Sequence, residues 1–311
     1  MSNLRDTVGL CIPYGKANSQ YETAFEPATG TLWGYFNPRE GAPCFSIALL
    51  KDIALHDEAL TRECGRIEVE GQSYQPSHYV LASRTAGVFN MGGDLALFAM
   101  LIKAQDRHAI ASYAMLCIDN MYRRIQNFRA SSLTTISLVQ GDALGGGFEA
   151  ALASDVIVAE ESAQMGLPEI LFNLFPGMGA CSLLTRRIGM RAAEELILSG
   201  KILPASELHR MGVVDVLATD GQGETAVRNW IAKNAKRRNG MQSVFRARHA
   251  IHPVTREELD GIVELWVEAA MRLGERDLKM MQRLVRAQMR RVEPGQVVQL
   301  HEPFVATEAA A

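Results

Sequence analysis

Apolar residues recur along this chain with two periods, and the switches between them mark out its elements. Phe45 to Leu50 reads as a buried strand and Asp57 to Cys64 as a short helix. Tyr79 to Ser83 is a strand, Val88 to Asp94 a turn after it, and Leu95 to about Lys103 an apolar helix. Ile110, Tyr113, Ala114, Cys117, Ile118, Met121 and Ile125 form one stripe, which predicts a helix over Ala109 to Phe128. Thr134 to Val139 is β-branched and apolar and reads as a strand. The glycine-rich turn Gly141 to Gly147 then opens a helix over Phe148 to Ala153. Asp155 to Ala159 is the next strand, and a loop holding Pro168, Pro176, Gly177 and Gly179 leads into a helix at Ala180 to Ile188. Helical spacing dominates beyond about residue 190: Ala192 to Leu198, Ser206 to Met211, Glu224 to Lys236 and Glu257 to Met289, with Val213 to Leu217 a lone strand. Thr255 and Glu258 make a capping-box start within this region. Residues 1–44 are polar and turn-rich with no strong period, a peripheral segment or a weak start to a sheet, and the last ten residues read as frayed.

Strand, glycine turn and helix alternate at least twice, so the fold class is α/β with stacked βα units and parallel pairing. The expected organisation is a peripheral segment (1–44), a βα core (45–217) and a helical C-terminal region (218–311). The chain has 311 residues, 48% hydrophobic and 22% charged, with a formal net charge of −3, which gives no global reason to expect nucleic acid or an anionic membrane as partner. No apolar run approaches the roughly 20 residues that span a bilayer. Met1 to Gly15 lacks the features of a secretory signal, and the five scattered cysteines read as reduced structural thiols. A cytoplasmic protein is the expectation.

Three segments carry candidate chemistry. In Gly141-Asp142-Ala143-Leu144-Gly145-Gly146-Gly147-Phe148-Glu149, three consecutive glycines let a ligand approach bare backbone N–H groups at a helix N-terminus, with Glu149 about one turn in. A tight strand–helix connection would use the same residues. Asn90-Met91-Gly92-Gly93-Asp94 is a second strand-to-helix turn, with Asp94 read as a helix cap. Two such turns, each with a free N–H, meet the needs of an oxyanion hole. In Gly166-Leu167-Pro168-Glu169-Ile170, Pro168 stiffens the approach to Glu169. Two carboxylates across a dry cleft raise one another's pKa and can divide acid and base duties.

In this order and on these elements, Phe89 to Leu95, Gly141 to Glu149 and Gly166 to Gly177 resemble the crotonase (enoyl-CoA hydratase/isomerase) superfamily. The resemblance covers residues 45–215 best and implies a ClpP/crotonase-like stacked ββα spiral core with a helical C-terminal region. By that likeness the N–H groups of Gly93 and Gly146 form the oxyanion hole, and Glu149 and Glu169 match the two hydratase-type glutamates. The chain also resembles the diffusible signal factor synthases within that superfamily. The features are its long N-terminal stretch, Phe45 to Cys64, the 56 residues from Gly93 to Glu149, and the run Phe172 to Gly179. Such enzymes dehydrate a 3-hydroxyacyl group carried on acyl carrier protein and then hydrolyse the thioester, releasing a cis-2-unsaturated fatty acid used in quorum sensing.

The resemblance implies no cofactor and no metal, only a thioester substrate carried on acyl carrier protein (ACP) or CoA. Gly145, Leu144, Met178, Trp266 and Leu284 are the candidate acyl-pocket residues, with ordinary core packing as the alternative for the four apolar ones. Lys233, Lys236, Arg237, Arg238, Arg246 and Arg248 make a basic patch that either docks acidic ACP or is a solvated helix end. The family implies a homotrimer or dimer of trimers. A plain enoyl-CoA hydratase and a non-catalytic scaffold for a signalling partner are the competing readings. No H-E-x-x-H, zinc spacing, G-x-S-x-G elbow or phosphate-binding loop occurs, and Gly177-Met178-Gly179 lacks the third glycine of a dinucleotide fingerprint.

Overall fold

Strand Thr134–Val139 shows how the chain is organised. Its β-branched residues suit a pleated strand, all six positions are buried, and it has a parallel neighbour on each side. A strand covered on both faces reads as a continuous apolar run, and that is how it stood out in the sequence.

The computed structural model describes residues 10–11, 19–39 and 41–290. In chain order the first elements are β1 (Leu10–Cys11), β2 (Tyr21–Glu26), β3 (Thr31–Phe36), α1 (Ile47–Arg62), and the hairpin β4 (Ile67–Val69) and β5 (Gln72–Tyr74). The spiral follows as β6 (His78–Ser83), β7 (Gly87–Asn90), α2 (Leu95–Lys103), α3 (Arg107–Ile125), β8 (Thr134–Val139), β9 (Gly141–Leu144) and α4 (Gly146–Leu152). It continues with β10 (Val156–Glu160), β11 (Gln164–Gly166), a 3-10 turn (Pro168–Phe172), α5 (Ala180–Ile188), α6 (Met190–Ser199), β12 (Ile202–Pro204), α7 (Ala205–Arg210) and β13 (Val216–Ala218). Four helices close the described chain: α8 (Gly223–Asn234), α9 (Arg238–Ile251), α10 (Arg256–Met271) and α11 (Glu275–Arg290).

Each turn of the spiral gives one strand to each of two sheets. The larger sheet runs β1-β2-β3-β6-β8-β10-β13 and the smaller runs β12-β11-β9-β7. From β3 to β13 the larger sheet is parallel, and β7, β9 and β11 are parallel in the smaller. The ends of β7, β9 and β11 therefore stack, and the chain leaves them at residues 90–93, 144–146 and 166–169. This stacking brings together three segments that lie far apart in sequence. One face of the large sheet (Val80, Ile136, Val158) packs on Val227 and Ile231 of α8, and the other joins the main core with α1, α3 and α10.

Several sequence expectations change. Of the two readings of the N-terminal segment, the start of a sheet holds for residues 21–36: β2 and β3 belong to the large sheet, and β3 is buried at all six positions. Gly34 interrupts the apolar run that would have announced β3. Phe45 to Leu50 is not a strand. Phe45 makes a single bridge to Gly93, and Ser46 caps α1 by accepting from Leu49 N at 3.2 Å. Val88–Asn90 and Gly141–Leu144 are strands rather than turns. Glu257 to Met289 divides at Leu273-Gly274, where Asp277 Oδ2 accepts from Gly274 N and starts α11. Helix α9 was missed because none of its residues is buried, which leaves no stripe to detect. Thr255 does cap α10, but the Glu258 carboxylate goes to Arg186, with contacts at 2.7 and 2.8 Å. The last ten residues, and Met1 to Gly15 apart from β1, lie outside the described residues. No helix among the described residues is long and apolar enough to cross a membrane.

Candidate active site

The turn after β7 is pinned from both sides. Asn90 Oδ1 accepts from Gly92 N at 2.8 Å, and Phe45 N donates to Gly92 O at 2.7 Å. Gly92 has φ +87°, and a Cβ there would stand 2.6 Å from Leu144 O, so only glycine fits. The turn after β9 lies directly against it: an ideal Cβ on Gly146 would come within 3.5 Å of Gly93 N. The N–H groups of Gly93 and Gly146 have no hydrogen-bond acceptor among the described residues. Two unpaired donors from adjacent turns, one of them opening α4, make an anion-binding pair suited to a thioester oxygen.

Behind them stand the two glutamates. Glu149, on the first turn of α4, is 1% exposed, and its Oε1 accepts from Met178 N at 2.8 Å and Ala180 N at 2.9 Å. Glu169 sits on the first turn of the 3-10 segment behind Pro168. The residue as a whole is half-buried, yet its Oε2 is shielded from solvent and has no partner. Gly145, at φ +52°, makes room for it, since a Cβ there would run into Glu169 Oε1.

Burial pushes both carboxyls above the ordinary range. For Glu149 the amides of Met178 and Ala180 oppose the shift. For Glu169 the Glu149 charge adds to it, and it is raised further. Burial and mutual repulsion thus favour the neutral form of both, and of Glu169 the more. One member can accept a proton while the other donates one.

The structure gathers Gly93, Gly145, Gly146, Glu149, Glu169 and Met178 in one place. The Met178 thioether lies over the hole, 2.6 Å from an ideal Gly146 Cβ. Trp266 of α10 borders it: its ring lies 2.5 Å from an ideal Gly177 Cβ and meets Phe98 edge-on at 5.3 Å, and Phe98 packs beneath Gly93. Leu144 instead packs with Cys44, Val88 and Met91. Leu284 lies on α11, which packs on α2 and the turn carrying Glu169, and is partly buried against the main core.

Two supports escaped sequence reasoning. The amides of Met178 and Ala180 act through a loop whose course no local pattern reveals. Tyr113 appeared only as one member of an apolar stripe, but its hydroxyl donates to Phe45 O at 2.5 Å and accepts from Asp94 N at 3.3 Å, bracing the Gly93 turn.

Comparison with known proteins identifies the family. The family described as enoyl-CoA hydratase/isomerase matches residues 71–259. Human mitochondrial methylglutaconyl-CoA hydratase is 35% identical over 151 residues, covering 48% of this chain and 42% of that protein. Cyclohexa-1,5-dienecarbonyl-CoA hydratase of Thauera aromatica is 31% identical over 157 residues, covering 50% and 60%. The match spans only 20% to 60% of the length of the curated relatives. Among solved structures, Pseudomonas aeruginosa DspI superposes with a TM-score of 0.61 at 25% identity, covering 79% of this chain and 87% of that one. The site sits within the matched segment, and the chain belongs to the enoyl-CoA hydratase/isomerase family, with the crotonase fold.

Proposed function

We propose that the protein interconverts 3-hydroxyacyl and 2-enoyl thioesters by hydratase-type chemistry at Glu149 and Glu169. The observation that carries this is the meeting of two carboxyl groups, each shielded from solvent, with the unpaired N–H groups of Gly93 and Gly146. The thioester oxygen rests on those N–H groups, which stabilise the enolate formed when one glutamate removes the α-proton. The enolate then collapses, the C3–O bond breaks, and the other glutamate protonates the departing hydroxyl, which leaves as water. Each oxyanion donor contributes roughly 3–4 kcal/mol and the acid–base pair about 10²–10⁴-fold. CoA-linked substrates are supported by the two hydratases to which the chain is similar.

The finer reading is that of a diffusible signal factor synthase. It acts on a medium-chain 3-hydroxyacyl group and adds a thioesterase step: water, deprotonated by a glutamate, attacks the same carbonyl, and the thiol leaves with the proton. The sequence resemblance supports it, together with the long α3 insertion between the two glycine turns. ACP as carrier and a signalling-protein partner belong to this reading. α9, with Arg238 and Arg246 on a helix none of whose residues is fully buried, offers a basic face for ACP. Arg248 is instead engaged with Asp155 at 3.2 Å.

Incubation of the purified protein with 3-hydroxydodecanoyl-ACP and -CoA, followed by mass spectrometry, tests both levels. Free cis-2-enoic acid, absent with Glu149→Ala and Glu169→Ala, is the expected result. Reversible hydration of CoA thioesters alone would leave a plain hydratase, and no turnover of either would overturn the proposal.

A further inference from the structure

A small cavity of about 30 Å³ lies next to the active site, room for one water-sized group. Its lining runs from Met178 and Ala150, the neighbour of Glu149, past apolar residues such as Leu50 and Met121 to Asp57 of α1 and Arg124 of α3. Both charged residues are buried, at 1% and 4% exposure. Asp57 uses Oδ1 on His56 Nδ1 at 2.8 Å, while its Oδ2 has no partner. Arg124 lies with Cζ 4.7 Å over the Tyr79 ring, and its Nη1 has no partner. The two line the same cavity without forming an ion pair with each other.

This cluster is built in. Gly34 of β3 clears the space for the hydrogen-bonded hydroxyls of Tyr21 and Tyr79, with which a Cβ would collide, and these surround the Arg124 guanidinium. Asp57 Oδ2 and Arg124 Nη1 are buried, unpartnered atoms of two residues that line one small space, and a group placed between them would have to satisfy both. A methyl end satisfies neither. A carboxylate suits Arg124 and is repelled by Asp57, and an ammonium has the opposite fault. A hydroxyl accepts from Arg124 Nη1 and donates to Asp57 Oδ2.

We propose that Asp57 and Arg124 form a recognition site for a hydroxyl carried on the acyl chain of the substrate, reached past the Met178 thioether. The inference rests on the reading that an acyl thioester binds at Gly93 and Gly146. The unbranched side chains of Met178 and Met121 can turn aside to admit the chain. The protein then prefers acyl thioesters oxygenated beyond the reacting carbons to plain ones of equal length.

The test is calorimetric binding of dodecanoyl-CoA against hydroxydodecanoyl-CoA, with the hydroxyl walked along the chain carbon by carbon. The ligands carry a 2-oxoalkyl thioether in place of the thioester and no 3-hydroxyl, so neither hydrolysis nor dehydration occurs. At one position the hydroxylated ligand is expected to bind about tenfold tighter to the wild type. Asp57→Asn should shrink that preference severalfold. The pair Asp57→Leu with Arg124→Met, which leaves neither charge buried alone, should abolish it. If the pair does not fold, the wild-type comparison decides. No preference at any position, or a bound structure in which the cavity holds only water while the chain lies elsewhere, overturns the site. Normal dehydration of 3-hydroxyacyl thioesters without the preference defeats this inference alone. The preference without dehydration defeats the proposed chemistry and leaves the site standing.

Discussion

Asp155 and Glu169 are carboxylates sealed away by the same fold, and they end in opposite states. Asp155, at the head of β10, accepts from Thr135 N at 3.1 Å, Thr135 Oγ1 at 3.3 Å and Asn127 Nδ2 at 2.8 Å, and faces Arg248 at 3.2 Å and His249 at 3.3 Å. Burial alone would raise its pKa, but the His249 hydrogen bond and charge, the Thr135 amide and Arg248 hold it below the usual range. Glu169 has burial with Glu149 beside it, and an oxygen with no partner. Burial does not decide what a carboxylate does; its partners do. One joins β8, β10 and α9 as an anchor, and the other is pushed toward its neutral form.

The comparison breaks first on activity. Glu169→Gln and Glu149→Gln should each lower kcat for dehydration by about 10³-fold, within the usual range for an acid–base residue. The two are not equivalent. Gln at 149 also disturbs the Met178 and Ala180 amides that hold the loop beside the hole, so it should raise KM as well, whereas Gln at 169 should leave KM within about twofold. Steady-state kinetics on both variants check this. With wild type, both limbs of the pH–rate profile should lie above the ordinary carboxylate range, because both carboxyls are raised.

Much of this site was legible in the sequence, and the reason is local. Gly93, Gly146, Glu149 and Glu169 each sit just beyond a strand end, marked by glycine or proline that the backbone requires there. The spiral then brings them together. Tyr113, the amides of Met178 and Ala180, and the Asp57–Arg124 pair act across long sequence separations, and no local pattern records such contacts. Strand β3 was hidden for another reason: Gly34 interrupts its apolar run.

Stability should separate the two carboxylates next. Asp155→Ala strands the buried Thr135 amide, while the half-exposed Arg248 can turn to solvent, so it should cost roughly 1–3 kcal/mol in denaturant unfolding. The pKa of Asp155 is depressed in the folded state. Its contribution is therefore present above the ordinary aspartate pKa and lost as pH falls through the folded value. Glu169 has the opposite sign. The folded state holds its proton more tightly than the unfolded chain, so wild-type stability falls as pH rises from the ordinary glutamate range through the raised value. Glu169→Gln should therefore be more stable than wild type at alkaline pH, by roughly 1–3 kcal/mol, with the gap closing in acid. A variant equally stable at both pH extremes would mean that Glu169 is not held protonated by the fold.

The smallest effect sharpens the contrast between anchor and catalyst, because it concerns a residue that is neither. Tyr113 touches no reacting atom, yet its hydroxyl joins Phe45 O to Asp94 N, on either side of the bare amide of Gly93. Tyr113→Phe keeps the ring and its edge-on contact with Phe98 at 4.9 Å, so the core stays packed and only the brace is lost. The stability change should be about 1 kcal/mol, the net worth of an ordinary buried hydrogen bond. An oxyanion donor that wanders loses much of its advantage, because that advantage comes from being fixed before charge develops. The variant should therefore lose about three- to tenfold in kcat with KM little changed. An equal fall in stability with unchanged kcat would make Tyr113 a structural tyrosine only. A selective loss of kcat would show that the hole depends on a residue from α3, a full strand–turn–helix away from the glycines that form it.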